Sequence, residues 1–139
     1  MKSYVPVIFI LLLFASCSGS KKLGQVQIKD PSATENDSVE YELIIFDPGF
    51  ETWFLTHSKP EWYYSQSYYE SWNQRFVAEW NVKAMSSRNS RYFETTINYD
   101  PFTDYGLEIN HKLFYYFLYV EKELKIPILP PGTGPKAIL

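Results

Sequence analysis

The sequence predicts an α+β fold: one small domain in which two long aromatic-rich helices pack on a few short strands. Three observations lead there. Apolar residues recur every three or four positions between Ser65 and Ser86, and again between Tyr105 and Lys125, the period of an α-helix. Val39–Phe46 alternates at first and then becomes continuously apolar, which fits a strand buried at one end. The block 39–129 has no internal repeat and holds all four tryptophans, so it reads as a single globular unit.

Each element follows in order. After Val39–Phe46, Asp47-Pro48-Gly49 predicts a turn: Pro pre-sets the first central position and Gly supplies positive φ at the second, the type II arrangement. Phe50–Leu55 is either a helical turn or a second strand. Ser58, Pro60 and Glu61 stand in the order of a helix start with a capping box. The first long helix, Ser65 to Ser86, carries its apolar stripe on Tyr69, Trp72, Phe76, Trp80 and Ala84. Arg91–Ile97 is a candidate strand, and Asn98–Pro101 restarts helical chain. In the last helix, Tyr105 to Lys125, the stripe is Ile109, Leu113, Tyr116, Phe117, Val120 and Leu124. Phe114, Tyr115, Leu118 and Tyr119 cover the other side, so this helix is expected to be buried on several faces. Ile126–Leu129 reads as a short edge strand because Pro127 withholds a ladder donor. Residues 130–139 read as a loose tail.

The N-terminal segment predicts an address. Lys2 precedes an apolar run that ends in Ala15-Ser16-Cys17, and the run is too short for the roughly 20 residues of a membrane span. A positive start, an apolar stretch and small residues before a cysteine are the pattern of a bacterial lipoprotein signal. Residues 1–16 are then a signal peptide, and Cys17 is the lipidated first residue of the mature chain. Residues 17–38, rich in Ser, Gly, Lys, Asp and Asn, read as a flexible tether placing the domain about 25 Å from the bilayer. The expected location is the cell envelope, at the outer membrane and facing the periplasm. Cys17 is the single cysteine, so the domain 39–129 is left without a disulfide or a thiolate site. Cleavage removes only Lys2 among charged residues and takes the formal charge from −3 to −4, which argues against a nucleic-acid surface.

No motif carries catalysis. His57 and His111 lack metalloprotease spacing and would need Asp104 or Glu108 brought to them by folding. Asp100, Asp104 and Glu108 fall four apart, but beside Pro101 they read better as helix-capping and dipole-stabilising groups. There is no Gly-x-Ser-x-Gly elbow and no phosphate loop. The sequence therefore names no catalytic residue, no metal and no cofactor. What it does contain is an excess of aromatics, densest from Trp53 to Trp72. Trp62, Tyr63 and Tyr64 are the candidate interaction surface, since three adjacent helical positions cannot all face inward. A protein-interaction or accessory module, non-enzymatic, is the expected role, with an envelope protein as partner. A glycan- or peptidoglycan-binding module is the alternative, and an envelope hydrolase using Asp104, Glu108 and His111 comes third.

The stretch Asp37–Phe50, Trp53, Tyr63-Tyr64-Ser65, Glu79-Trp80-Asn81, Asn98–Pro101, Asp104–Asn110, Leu113 and Tyr115–Phe117 resembles a family of small uncharacterised Bacteroidota lipoproteins carrying one domain of unknown function. The resemblance implies a Gram-negative envelope and no particular activity. Surface-exported lipoproteins of such bacteria carry acidic residues after the cysteine. Ser18-Gly-Ser-Lys-Lys22 stands here instead, which implies retention on the periplasmic side.

Replacing Cys17 with Ala should leave the precursor uncleaved or release the protein from membranes, read by its size and its partition on fractionation. A variant of mature size that stays in the membrane fraction would refute the lipoprotein reading.

Overall fold

The computed structural model describes residues 23–30, 41–86 and 92–136. The segment read as a signal peptide, Cys17 and the chain to residue 22, with 31–40, 87–91 and 137–139, lie outside the described residues. The element order is β1 (Val26–Lys29), β2 (Glu42–Ile45), α1 (Phe50–His57), a 3-10 turn (Glu61–Tyr63), α2 (Gln66–Ala84) and α3 (Gly106–Lys122). It is the expected α+β architecture, with helices dominating a two-stranded antiparallel sheet.

α3 is the centre. From Ile109 to Val120 every residue but Lys112 is buried, and α1, α2, β2 and the 3-10 turn all pack against it. Its apolar character on all sides is what a helix enclosed by neighbours requires. α2 meets it through Tyr69, Phe76, Val77 and Trp80, with Phe76 stacked on Phe117 at 4.9 Å. Trp72 of the expected stripe is only half-buried and lies under the Arg75 guanidinium, 4.7 Å from its ring centre.

The sheet corrects one boundary. Residues 26–29 belong to the segment read as tether, yet they pair with β2 in the register Val26↔Ile45, Gln27↔Ile44, Ile28↔Leu43 and Lys29↔Glu42. Val26 and Ile28 face the core with Leu43 and Ile45, and Gln27 and Lys29 point to water. Two inward residues are enough for a strand when its partner completes the apolar face. Leu23 is buried as well, so the folded domain takes in residues 23–29 and does not begin at 39.

Three further expectations give way to specific contacts. Residues 92–97 form no strand, because side chains of α2 satisfy their backbone instead. Asn81 accepts from the Ile97 amide at 2.8 Å and donates to the Ile97 carbonyl at 3.0 Å, and the Trp80 indole donates to the Thr95 carbonyl at 2.8 Å. Ile126–Leu129 is not a strand either. Its Ile128 and Leu129 amides donate to the Glu121 carboxylate at 3.1 and 2.8 Å. The chain from 130 to 136 turns through a Thr133–Pro130 bond and buries Pro135, so it is not a loose tail over those residues.

The turn before α1 also differs. Gly49 has φ −84°, so positive φ is not why glycine stands there. Asp47 accepts from the Gly49 amide at 2.9 Å, and a Cβ on Gly49 would lie 2.6 Å from the Tyr119 hydroxyl. Glycine is needed for close approach. Tyr119 cannot swing aside, being packed against Phe50, Trp53 and Tyr116. Gly49→Ala should therefore cost about 1–3 kcal/mol of stability, measured by urea unfolding. In a Tyr119→Phe background the remaining contacts are ordinary, 3.4 Å to Asp47 Oδ1 and 3.6 Å to the ring, so the same substitution should cost markedly less. Equal costs in the two backgrounds would reject this account.

Candidate interaction surface

Lys59-Pro60 starts the site. Pro60 holds φ at −54° and leads into the 3-10 turn, which closes with a Tyr63 amide to Pro60 carbonyl bond of 2.9 Å. The expected capping box is absent, since no side chain caps this turn. The true cap stands at Ser65, whose hydroxyl accepts from the Tyr68 amide at 3.2 Å and begins α2.

The turn is clamped to the core from beneath. The Lys59 amide donates to the Tyr115 hydroxyl at 3.0 Å, and the Lys59 carbonyl accepts from His111 Nε2 at 2.8 Å. A carbonyl only accepts, so Nε2 carries the proton. His111 is buried among the rings of Phe54, Tyr69 and Tyr115. Burial lowers its pKa below the ordinary 6.5, while the Lys59 bond and the charge of Glu61 pull the other way.

On this base the three predicted aromatics divide by role. Trp62 is 78% exposed and Tyr63 41%. Tyr64 is half-buried, stacked on Tyr68 at 4.2 Å and met edge-on by Tyr63 at 4.8 Å. Trp62 and Tyr63 are thus presented to solvent, and Tyr64 joins them to the core. Beside them a cleft of about 380 Å³ opens between Pro60, Glu61, Phe54, Glu108 and Lys112, with His111 in its wall.

The carboxylates and histidines do not assemble into one centre. Asp104 accepts from Gln66 at 2.7 Å and from the Gly106 amide at 3.0 Å, tying the start of α2 to the start of α3, and it does not line the cleft. Asp100 accepts from the Phe102 amide and the Thr103 hydroxyl, so it caps the turn at 101–103 and not the helix itself. His57 sits at the exposed end of α1, its ring stacked on Trp53 at 4.7 Å. Among the described residues no group of three or more His, Cys, Asp or Glu is placed to hold a metal ion. Also among them, no helix is long and apolar enough to cross a membrane. Cys17 lies outside the described residues.

One polar centre was missed from sequence. Asn73 of α2 donates to the Asn110 carbonyl at 2.9 Å, and the Tyr99 hydroxyl donates to Asn110 Oδ1 at 2.7 Å. Asn110 in turn donates to the Gly106 carbonyl at 2.9 Å. Both asparagines are fully buried. The available signal was an asparagine at 73, one helical turn from Tyr69 and Phe76 on the apolar stripe.

A family of unknown function (DUF6146) matches residues 5–129. The chain belongs to that family. No curated protein and no solved structure matches it. The family match runs from the apolar N-terminal run through β1 to Leu129, so it takes in the strand that lies in the segment read as a tether.

The buried His111 makes stability depend on pH. Between its lowered folded pKa and the ordinary 6.5 the unfolded chain binds more protons, so stability is full above 6.5 and falls as the pH drops toward the folded value. Urea midpoints taken from about pH 7.5 to about pH 5.5 should decline for the native chain. The decline should be shallower in His111→Gln, which keeps a donor for the Lys59 carbonyl. An unchanged slope in the variant would assign the effect to other groups.

Proposed function

We propose that this protein is a lipid-anchored envelope component that docks onto a partner protein through Trp62 and Tyr63. The observation that carries the reading is Trp62, 78% exposed on a turn held by two hydrogen bonds from α3. A large aromatic fixed in place loses little entropy on binding, and such residues dominate interface energetics. The leader and Cys17 support an exported, lipidated protein at the outer membrane, facing the periplasm. A non-enzymatic role is consistent with the engagement of Asp104 and His111 in internal hydrogen bonds.

The test is crosslinking in intact cells, followed by capture through a C-terminal tag, for the native chain and for Trp62→Ala/Tyr63→Ala. A recurrent partner should be lost in the double variant, as a contribution of about 2 kcal/mol is roughly thirtyfold in affinity. Its thermal unfolding should be unchanged. Tyr64→Ala should instead lower stability by about 1 kcal/mol, because its ring stacks on Tyr68. Retention of the same partner by the double variant would show that the turn is not the interface. If no protein is captured and tryptophan fluorescence shifts with an envelope polysaccharide, the surface is a glycan site.

A further inference from the structure

A second apolar surface lies where the chain enters the domain. Leu23, Phe46, Pro48, Tyr119 and Leu124 line a groove of about 500 Å³. Phe46 is 56% exposed, although its amide is fixed to the Gln25 carbonyl at 2.9 Å. The carboxylate at this place, Asp47, is turned to internal donors, the Gly49 amide at 2.9 Å and the Tyr119 hydroxyl at 3.2 Å. Of the charged residues at the end of α3, Glu123 acts on the Tyr119 phenol, whereas Lys122 and Lys125 line a separate pocket beside Pro127 and Leu129.

Chain length says what meets this groove. Because Leu23 is buried, only five residues separate it from Cys17. Six residue steps reach at most about 20 Å when fully extended. A domain of ~100 residues has a radius of gyration of about 13 Å, so such a tether is shorter than the domain is wide. It holds the Leu23 end against whatever bears the anchor.

We propose that the groove of Leu23, Phe46, Pro48 and Leu124 is a membrane-facing surface that rests on the lipid bilayer, with Phe46 at headgroup depth. This rests on the lipidation of Cys17. The groove lies at the end of α3, whereas the clamped turn contacts it at His111, eight residues before Tyr119. At 1.5 Å per residue that is about 12 Å along the helix, and about 6 Å for the second clamp at Tyr115, so the turn bearing Trp62 is held on an earlier part of α3 than the groove.

The test uses the full-length protein purified from membranes and returned to vesicles of phosphatidylethanolamine and phosphatidylglycerol. With Cys17 acylated, Phe46→Cys carries a single spin label; Pro48→Cys is the second position, and Glu61→Cys is the control beside Trp62. Labels at 46 and 48 should show a severalfold higher ratio of oxygen to aqueous nickel-chelate accessibility than the label at 61. Intact mass reads acylation separately. Acylated protein whose labels at 46 and 48 are as water-accessible as 61 would overturn the membrane face and leave the anchor standing. Labels shielded from both reagents would overturn it in favour of a protein cover. Protein without acyl groups would overturn the anchor reading, and the membrane face with it.

Discussion

A helix buried on every side must still be joined to the chain that surrounds it, and α3 achieves this with tyrosine. Three of its phenols carry their rings in the core and their hydroxyls at its rim. Tyr115 accepts from the Lys59 amide, Tyr116 donates to the Gly24 carbonyl at 3.0 Å, and Tyr119 donates to Asp47. Each therefore holds a different peripheral segment: the turn bearing Trp62, the entry to β1 and the turn before α1. Phenylalanine at 115 or 116 would supply the same packing and leave the Lys59 amide or the Gly24 carbonyl without that partner, a cost of about 1–3 kcal/mol where the group is shielded from water. Burial raises the pKa of Tyr116, and burial with the charge of Asp47 pushes Tyr119 up to about 12, so both remain donors at any physiological pH.

The two kinds of surface follow from this arrangement. Where the rim is held by a main-chain clamp, as at Lys59, a large aromatic stands in water without disturbing the core. Where the rim is a strand edge and a glycine turn, as at Gly24 and Gly49, the backbone comes close enough to leave a shallow apolar groove. Asn73, Asn110 and Tyr99 set the pairing of α2 with α3 from within, since sliding either helix by one turn would bury asparagines without partners.

Long-period patterns were legible in the sequence, and short ones were not. The stripe of α3 and the apolar run into Phe46 predicted the central helix and β2, because many residues vote for each. β1 has two inward residues in a polar stretch, too few to separate from a tether. Residues 92–97 looked like a strand because their composition suits extended chain. What decided otherwise was Asn81, a side chain on another element that no local pattern reports. The same holds for Gly49, whose reason is a hydroxyl seventy residues away. For the candidate surface, adjacency alone argued that Trp62, Tyr63 and Tyr64 could not all be inside. Which of them faced out depended on the stacking of Tyr64 on Tyr68, which needed the start of α2 at Ser65 rather than Ser58.

The bond from Tyr116 to Gly24 joins residues 92 positions apart. Contacts between distant parts of a chain form late, after the loop between them has been closed. β1 pairs with β2 early, but the Gly24 carbonyl at its entry finds the Tyr116 hydroxyl only once α3 exists, so synthesis from the N-terminus leaves the beginning of the domain unfinished until its end has been made. If the protein is exported as proposed, a chain built in this order is still unfinished when a narrow translocation channel must accept it.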